Sequence, residues 1–131
     1  MNQMKATVVK MDNFERISYV EFTTGKNSFS LVALELDENL KVGSTVTLFA
    51  KATNVALSKT KLTTITVSNQ LECLIKEINE GVLLSSVTLQ MEENILESII
   101  TTSSLHRLNL TAGDTVFALI KATDLSVLEI L

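Results

Sequence analysis

Four consecutive hydroxyl-bearing residues, Thr-Thr-Ser-Ser at positions 101–104, follow an apolar run in the second half of the chain. Serine and threonine are favoured at helix starts, and Leu105 and Leu108 are spaced to share one helical face, so the segment predicts a helical turn. The first N–H groups of a helix lack internal partners and lie at the positive end of its dipole. Hydroxyls beside such groups could bind a small anion, or they could simply cap the helix.

A cation and a further hydroxyl follow in the segment Lys121-Ala122-Thr123. If the fold brings this segment to the hydroxyl cluster, the ammonium supplies positive charge and Thr123 supplies a donor. Hydrogen bonds to a charged group contribute about 1.5–3 kcal/mol each, so a few of them reach the roughly 8 kcal/mol of micromolar affinity. The alternative is that Lys121 is a solvent-exposed lysine on a strand.

The other reactive side chains show no catalytic or metal-binding pattern. His106, the single histidine, has no partner at metal-ligand spacing, and we expect it to be structural or solvated. Cys73 is expected to be a small packed side chain, and Glu92-Glu93 indicates a solvated hairpin turn. Because no nucleophile, base and orienting group stand in a recognisable arrangement, we expect no catalytic residues, no metal site and no enzyme activity.

The composition of the 131-residue chain limits its class. Its 46% hydrophobic and 20% charged residues indicate a folded chain, and its single cysteine excludes a disulfide framework or a multi-cysteine metal site. The formal charge of −4 argues against a general nucleic-acid binder, yet it opposes an anion only weakly, because salt screens charges beyond roughly 8 Å. No apolar run approaches the roughly 20 residues of a membrane span, and residues 1–5 lack a signal-peptide core, so we expect a soluble cytoplasmic protein.

The sequence contains an internal repeat, which indicates a tandem duplication. Residues 41–57 resemble residues 111–127, and the strongest matches pair Gly43 with Gly113 and Lys51-Ala52-Thr53 with Lys121-Ala122-Thr123. The beginnings of the two copies also match, as Asn2-Gln3-Met4 and Asn69-Gln70-Leu71. We expect a first repeat at residues 1–65 and a second at residues 66–131, joined by a polar link near residues 57–66.

Short runs rich in valine, isoleucine and threonine predict strands in both repeats. They cover residues 17–22, 29–36, 45–50, 74–78, 82–89, 95–100 and 116–120. The five phenylalanines and the single tyrosine fall at strand positions, and we expect them in the core. About four or five short strands in each repeat match the scale of a small barrel, whose closure avoids open sheet edges. The prediction is an all-β fold of two tandem small β-barrels, with a short helical turn in the second repeat.

The order and spacing of the motifs in the second repeat resemble the molybdate-binding Mop domain family (molbindin). The matching segments are Asn69-Gln70-Leu71, the pattern Ile-Thr-x-x-Ser-x-x-x-Leu-x-Leu at residues 100–110, Gly113, and Ile120-Lys121-Ala122-Thr123. The first repeat matches more weakly, through Asn2-Gln3-Met4 and Lys51-Ala52-Thr53. The double copy resembles the tandem "dimop" arrangement of this family.

The resemblance implies two OB-like barrels that reversibly bind molybdate or tungstate, with molybdenum present only as the oxyanion and no organic cofactor. In the family the oxyanion lies at an interface between domains, commonly between subunits. Self-association, as a trimer or a dimer of two-repeat chains, is therefore implied as well. The implied ligands in the second repeat are Thr101, Ser104, Lys121, Ala122 and Thr123.

Two segments depart from the family pattern. The family carries a Ser-Ala-Arg-Asn segment before its first strand; here Thr66 can replace the serine, but Ser68 stands at the arginine position. In the first repeat, Lys51 and Thr53 remain while the Ile-Thr-x-x-Ser pattern is lost. A complete site would therefore take its hydroxyls from the second repeat and its lysine from either copy.

Two functions are compatible with these features. The first is a cytoplasmic oxyanion-binding protein that holds molybdate or tungstate for storage, homeostasis or sensing. The alternative is a protein-interaction or regulatory module of the same fold with weak or lost oxyanion binding, which the missing arginine and the altered first repeat favour. Neither function involves nucleic acid or a membrane as a partner.

Overall fold

The computed structural model describes residues 2–131, and strands make up most of it. They are β1 (Asn2–Phe14), β2 (Ile17–Thr23), β3 (Ser28–Leu34), β4 (Thr45–Ala50), β5 (Ala56–Ser58), β6 (Asn69–Asn79), β7 (Leu84–Met91), β8 (Asn94–Thr101), β9 (Thr115–Ile120) and β10 (Ser126–Ile130). Helix α1 (Thr102–Arg107) follows β8, and short 3-10 turns cover Ala52–Asn54 and Ala122–Asp124. The predictions of an all-β fold and of a helical turn in the second repeat are confirmed. No helix within residues 2–131 has the length and apolar character that crossing a membrane requires.

The strands form two five-stranded sheets, and each sheet includes one strand from the other half of the chain. The first sheet has the order β10-β4-β1-β2-β3, and the second has the order β5-β9-β6-β7-β8. β10 pairs antiparallel with β4, with Ser126 opposite Phe49, and β5 pairs antiparallel with β9, with Ala56 opposite Leu119. The polar link between the halves covers residues 59–68, between β5 and β6, and so begins and ends two residues later than expected. The repeat boundary between residues 65 and 66 stays a prediction. In the structure, each sheet contains strands from both halves of the chain.

Each sheet curls so that its two edges approach one another. In the second sheet, β5 contacts β8 at the opposite edge, and the first 3-10 turn also packs on β8. In the first sheet, the second 3-10 turn packs on β3. Two curled five-stranded sheets of this kind give the OB-like barrel pair that the sequence predicts.

The starts of β1 and β6 bury alternate residues, as half-buried strands do. Met4, Ala6 and Val8 of β1 are buried, and so are the repeat-equivalent Leu71, Cys73 and Ile75 of β6. These six residues belong to one hydrophobic cluster that extends through both halves. Because the buried residues of both halves belong to one cluster, the two repeats share a single hydrophobic core.

The prediction that all aromatic residues lie in the core is correct for only two of the six, and Phe49 and Phe117 are partly buried. Phe22 and Phe29 are buried, but Phe14 is 74% exposed and Tyr19 is 37% exposed. The cause is the length of the β1–β2 hairpin, because β4 pairs with β1 only along residues 2–7. Beyond that point β1 has no strand on its outer side, whereas β2 still pairs with β3.

Equivalent tight turns before β4 and β9 place a glycine at the same position in each repeat. Gly43 and Gly113 both have a φ of 94°, a conformation that side chains with a Cβ rarely adopt. The N–H of Gly43 donates to the carbonyl of Val8, and that of Gly113 donates to the carbonyl of Ile75, each at 2.8 Å. The shared geometry supports the alignment of these glycines in the repeat.

Candidate functional site

The hydroxyl cluster begins helix α1 through a cap on Ser104. Thr101 has extended backbone angles (φ −68°, ψ 144°), and its Oγ1 accepts a hydrogen bond from the Ser104 N–H at 3.1 Å. The same hydroxyl donates to Ser104 Oγ at 2.9 Å. Thr101 therefore caps the helix, which was the simpler of the two interpretations. Because Thr101 gives its proton to Ser104, the Ser104 hydroxyl keeps its own proton for another acceptor.

Thr102 fixes the helix start to the loop between β6 and β7. Its buried Oγ1 lies 2.7 Å from Ser85 Oγ and donates to the carbonyl of Gly81 at 2.9 Å. Its N–H donates to the carbonyl of Leu83 at 2.9 Å. The expectation of free N–H groups is wrong for Thr102 and Ser104, whose N–H groups are both occupied. The helix start thus offers hydroxyls to a ligand.

A cleft of about 390 Å³ brings two of these residues together with the first half of the chain. It lies between the segment 53–57 on one side and β8 with α1 on the other. Its polar lining consists of Thr53, Asn54, Thr101, Ser104 and Arg107. Its apolar lining consists of Val55, Ala56, Leu57, Ile99, Ile100, Leu108 and Leu110. Thr53, Thr101 and Ser104 were all predicted as site residues, and the structure places them in one cleft.

The first 3-10 turn holds Thr53 beside the second half of the chain. Lys51 precedes the turn with extended backbone angles, and the turn packs on β8. Next to it, the buried Ser98 hydroxyl of β8 donates to the carbonyl of Val55 at 2.6 Å. The first-repeat copy of Lys-Ala-Thr, and not the second-repeat copy, is therefore the one adjacent to the hydroxyl cluster within a chain. The Lys51 side chain is exposed.

The second-repeat copy of Lys-Ala-Thr lies at the other seam. The second 3-10 turn packs on β3, and Lys121, Ala122 and Thr123 are outside the cleft. At that seam Leu34 pairs with Ile17 as Thr101 pairs with Leu84, so Leu34 occupies the position of Thr101. Leu34 has no hydroxyl and is 66% exposed. The seam that holds Lys121 thus lacks the equivalent of the Thr101 cap.

The remaining two site predictions fall before β6. Thr66 is exposed, and Ser68 Oγ lies 3.1 Å from Ser30 Oγ in the other half of the chain. Neither residue lines the cleft. The ligand roles of Thr66 and Ser68 stay predictions.

Arg107 is the cleft residue that sequence reasoning missed. It is the only charged side chain in the described lining, and it follows Ser104 by three residues on α1. Residues three apart share a helical face, so this spacing was the signal that could have identified it. The family pattern specifies no residue at position 107, and the arginine that the family does specify corresponds to Ser68 in this chain.

The other reactive side chains have structural surroundings. His106 Nε2 lies 3.0 Å from Glu80 Oε1, and both side chains are more than half exposed. Burial raises the pKa of the Cys73 thiol to about 12, so Cys73 is protonated and inert, in agreement with a packed role. Within residues 2–131 the structure contains no group of three or more histidine, cysteine or carboxylate side chains that could hold a metal ion.

Glu92 and Glu93 form the hairpin turn that the sequence indicated, but Glu92 is only partly solvated. It lies in the β7–β8 turn, and its carboxylate accepts hydrogen bonds from Thr24 Oγ1 and the Lys26 N–H of the β2–β3 turn. A Cβ at Gly25 would stand 2.7 Å from Glu92 Oε1, so a side chain at this position would require the glutamate carboxylate to shift. Partial desolvation raises the pKa of Glu92, but the hydrogen bonds from Thr24 and Lys26 outweigh it and lower the pKa below its ordinary value.

Comparison with known proteins assigns the family. Residues 65–127 match the model of the TOBE domain. A molybdate-binding protein from Sporomusa ovata is 36% identical, over 51% of this chain and 100% of its own, with a TM-score of 0.50. This chain belongs to the Mop (molbindin) family. The Sporomusa protein corresponds in length to one repeat.

A solved structure of similar length shares the fold of almost the whole chain. The cytoplasmic molybdate-binding protein ModG, solved with molybdate bound, matches 96% of this chain with 94% of its own. The TM-score is 0.88 and the sequence identity is 23%, which shows a shared two-repeat fold. None of the curated proteins compared with this Mop-family chain matches it significantly.

Proposed function

We propose that this chain is a cytoplasmic protein that reversibly binds molybdate or tungstate, for storage, homeostasis or sensing. The observation that carries the proposal is the cleft in which Thr53 of the first half meets Thr101 and Ser104 of the second. These hydroxyls come from the two motifs that the family resemblance implies. The names of the Sporomusa protein and of ModG, which both include molybdate binding, support the same ligand for this chain.

Capture of the oxyanion requires donors and no covalent chemistry. Molybdate and tungstate carry oxygens that only accept hydrogen bonds, and the cleft presents hydroxyls at Thr53 and Ser104. Thr101 orients Ser104 by donating to its oxygen, which directs the Ser104 proton elsewhere. Each hydrogen bond to the charged ligand is worth about 1.5–3 kcal/mol. The reaction is binding and release, and we assign no enzymatic step.

The residues outside the cleft have a role only if a second copy approaches. Two lysines flank the cleft segment 53–57 in sequence: Lys51 precedes the turn that carries Thr53, and Lys59 follows Leu57 by two residues. Lys121, Ala122, Thr123, Thr66 and Ser68 lie elsewhere on the molecule. In a trimer or dimer of two-repeat chains these residues would reach an oxyanion bound to a neighbouring copy.

Isothermal titration calorimetry tests the proposal. We expect saturable binding of molybdate and tungstate, and weaker or no binding of sulfate and phosphate, which are smaller. The absence of heat with both molybdate and tungstate at millimolar concentration would overturn it. That result would instead favour a protein-interaction module of the same fold that has lost oxyanion binding.

A further inference from the structure

We infer that Arg107 supplies the positive charge of the cleft and contacts the bound oxyanion directly. The inference rests on the proposed function and adds a residue that the family motif does not include. Every other described residue that lines the cleft is uncharged. The guanidinium of Arg107 is therefore the one formal charge that the lining offers to a dianion bound in the cleft.

The position of Arg107 on α1 directs it to the same ligand as Ser104. The two residues are three apart in a helix, so their side chains lie on one face, and both line the cleft. The opposite wall of the cleft carries Thr53. A small tetrahedral anion between these walls can accept from a hydroxyl on each side and from the guanidinium at its edge.

Arg107 is also available for a ligand. The chain has two arginines, and within residues 2–131 they differ in their surroundings. Arg16 is in an ion pair with Glu35, whereas Arg107 has no ion pair with any described residue. The guanidinium lies on the same helix as the Ser104 hydroxyl, which accepts from Thr101 and so keeps its own proton for another acceptor.

The chemistry of the guanidinium fits an oxyanion better than a lysine would. It is planar, it stays charged at all physiological pH values, and it presents five N–H donors in a fixed fork. Two parallel N–H groups can bind two oxygens of one oxyanion, a geometry that a single ammonium cannot reproduce. Lys51 and Lys121 are not among the residues that line the cleft.

The first test compares two glutamine variants by calorimetry with molybdate as the probe. We expect Arg107→Gln to weaken molybdate binding by about tenfold or more, as the loss of a charge-assisted contact should. Arg107→Lys should restore only part of the affinity, because it restores charge without the fork. Arg16→Gln, the matched control, should bind as the wild type does. Arg107 is exposed, so equal melting temperatures of the variants will show that folding is intact.

The outcomes separate the two proposals. If the wild type binds molybdate and Arg107→Gln binds equally well, the role of Arg107 is overturned while the proposed function stands. If the wild type does not bind molybdate or tungstate, both are overturned.

A second measurement reports contact rather than affinity. Nitrogen-15 NMR resolves the Nε–H signals of the two arginines, and the Arg107→Gln variant assigns them. Molybdate should shift the Arg107 signal and leave that of Arg16 in place. A titration that saturates the protein without moving the Arg107 signal would overturn the direct contact.

Discussion

The side-chain amide of Asn69 makes a two-way hydrogen-bonded pair with the backbone of Ser30, which lies in the other half of the chain. Asn69 Oδ1 accepts from the Ser30 N–H at 2.7 Å, and Asn69 Nδ2 donates to the Ser30 carbonyl at 2.8 Å. The repeat-equivalent Asn2 makes the same pair with the backbone of Glu97, with both distances 2.7 Å. Each asparagine thus satisfies a strand edge of the opposite half, and the two halves are held by reciprocal contacts.

Replacing Asn69 should weaken the fold through this contact. Asn69 is 1% exposed, so Asn69→Ala leaves the N–H and carbonyl of Ser30 without their partner in a buried place. An unsatisfied buried polar group costs about 1–3 kcal/mol, and we expect a loss of about 2–4 kcal/mol in the free energy of unfolding. Urea denaturation measures it. Asn39→Ala, at an exposed asparagine, is the control and should unfold as the wild type does. Equal stability of the two variants would show that the pair contributes nothing.

Ser104 and Ser103 offer a matched test of the cleft. Ser104 lines the cleft, whereas its neighbour Ser103 is exposed and does not. We expect Ser104→Ala to weaken molybdate binding by about tenfold or more, because it removes a donor to a charged ligand. Ser103→Ala should leave the affinity unchanged. Calorimetric titration compares them, with thermal unfolding to show that α1 remains formed. A similar loss of affinity in both variants would show that the loss comes from a change in α1 and not from the missing Ser104 hydroxyl.

The contacts between the halves explain what the sequence could not predict about the fold. The repeated asparagines were recognised as strand starts, but their partners are distant in sequence and follow no local pattern. β5 has only three residues, Ala56–Ser58, and β10 has five, Ser126–Ile130. A segment of three residues carries too little hydrophobic alternation to predict a strand, whereas β10 is as long as the predicted run 116–120 and was still not recognised. Their pairing with the opposite sheet depends on the docked halves.

The candidate site was predictable to the extent that a local motif carries it. The cap on α1 follows from hydroxyls before a helical spacing, so Thr101 and Ser104 were identified directly. Thr53 was identified as a motif residue, but its position beside Ser104 follows from the interleaved sheets. Arg107 was not predicted because the cleft that it lines is formed partly by residues 53–57, which are distant from it in sequence.

The Glu92 contact between the two turns should make stability depend on pH. The folded-state pKa of Glu92 lies below the ordinary value of 4.5, so its contribution is present above that value. It is lost as the pH falls through the folded-state pKa, where the carboxylate is protonated. We expect Glu92→Gln to be less stable than the wild type at neutral pH, and the difference to shrink at about pH 3. Urea denaturation at both pH values measures it. A difference that does not change with pH would show that the carboxylate charge contributes nothing.

Removal of the last strand should loosen the first sheet, although the strand belongs to the second repeat. β4 lies between β10 and β1, and β10 covers it from Val46 to Phe49. Ending the chain at Leu125 therefore turns β4 into an edge strand, whose outward N–H groups lose their partners. We expect the β4 amides directed at β10 to exchange with deuterium about tenfold faster or more, since local opening then exposes them. The amides of β9 are the internal control, because β9 pairs with β5 and β6 and keeps both neighbours. Faster exchange in β9 with β4 unchanged would contradict the exchange of edge strands between the halves.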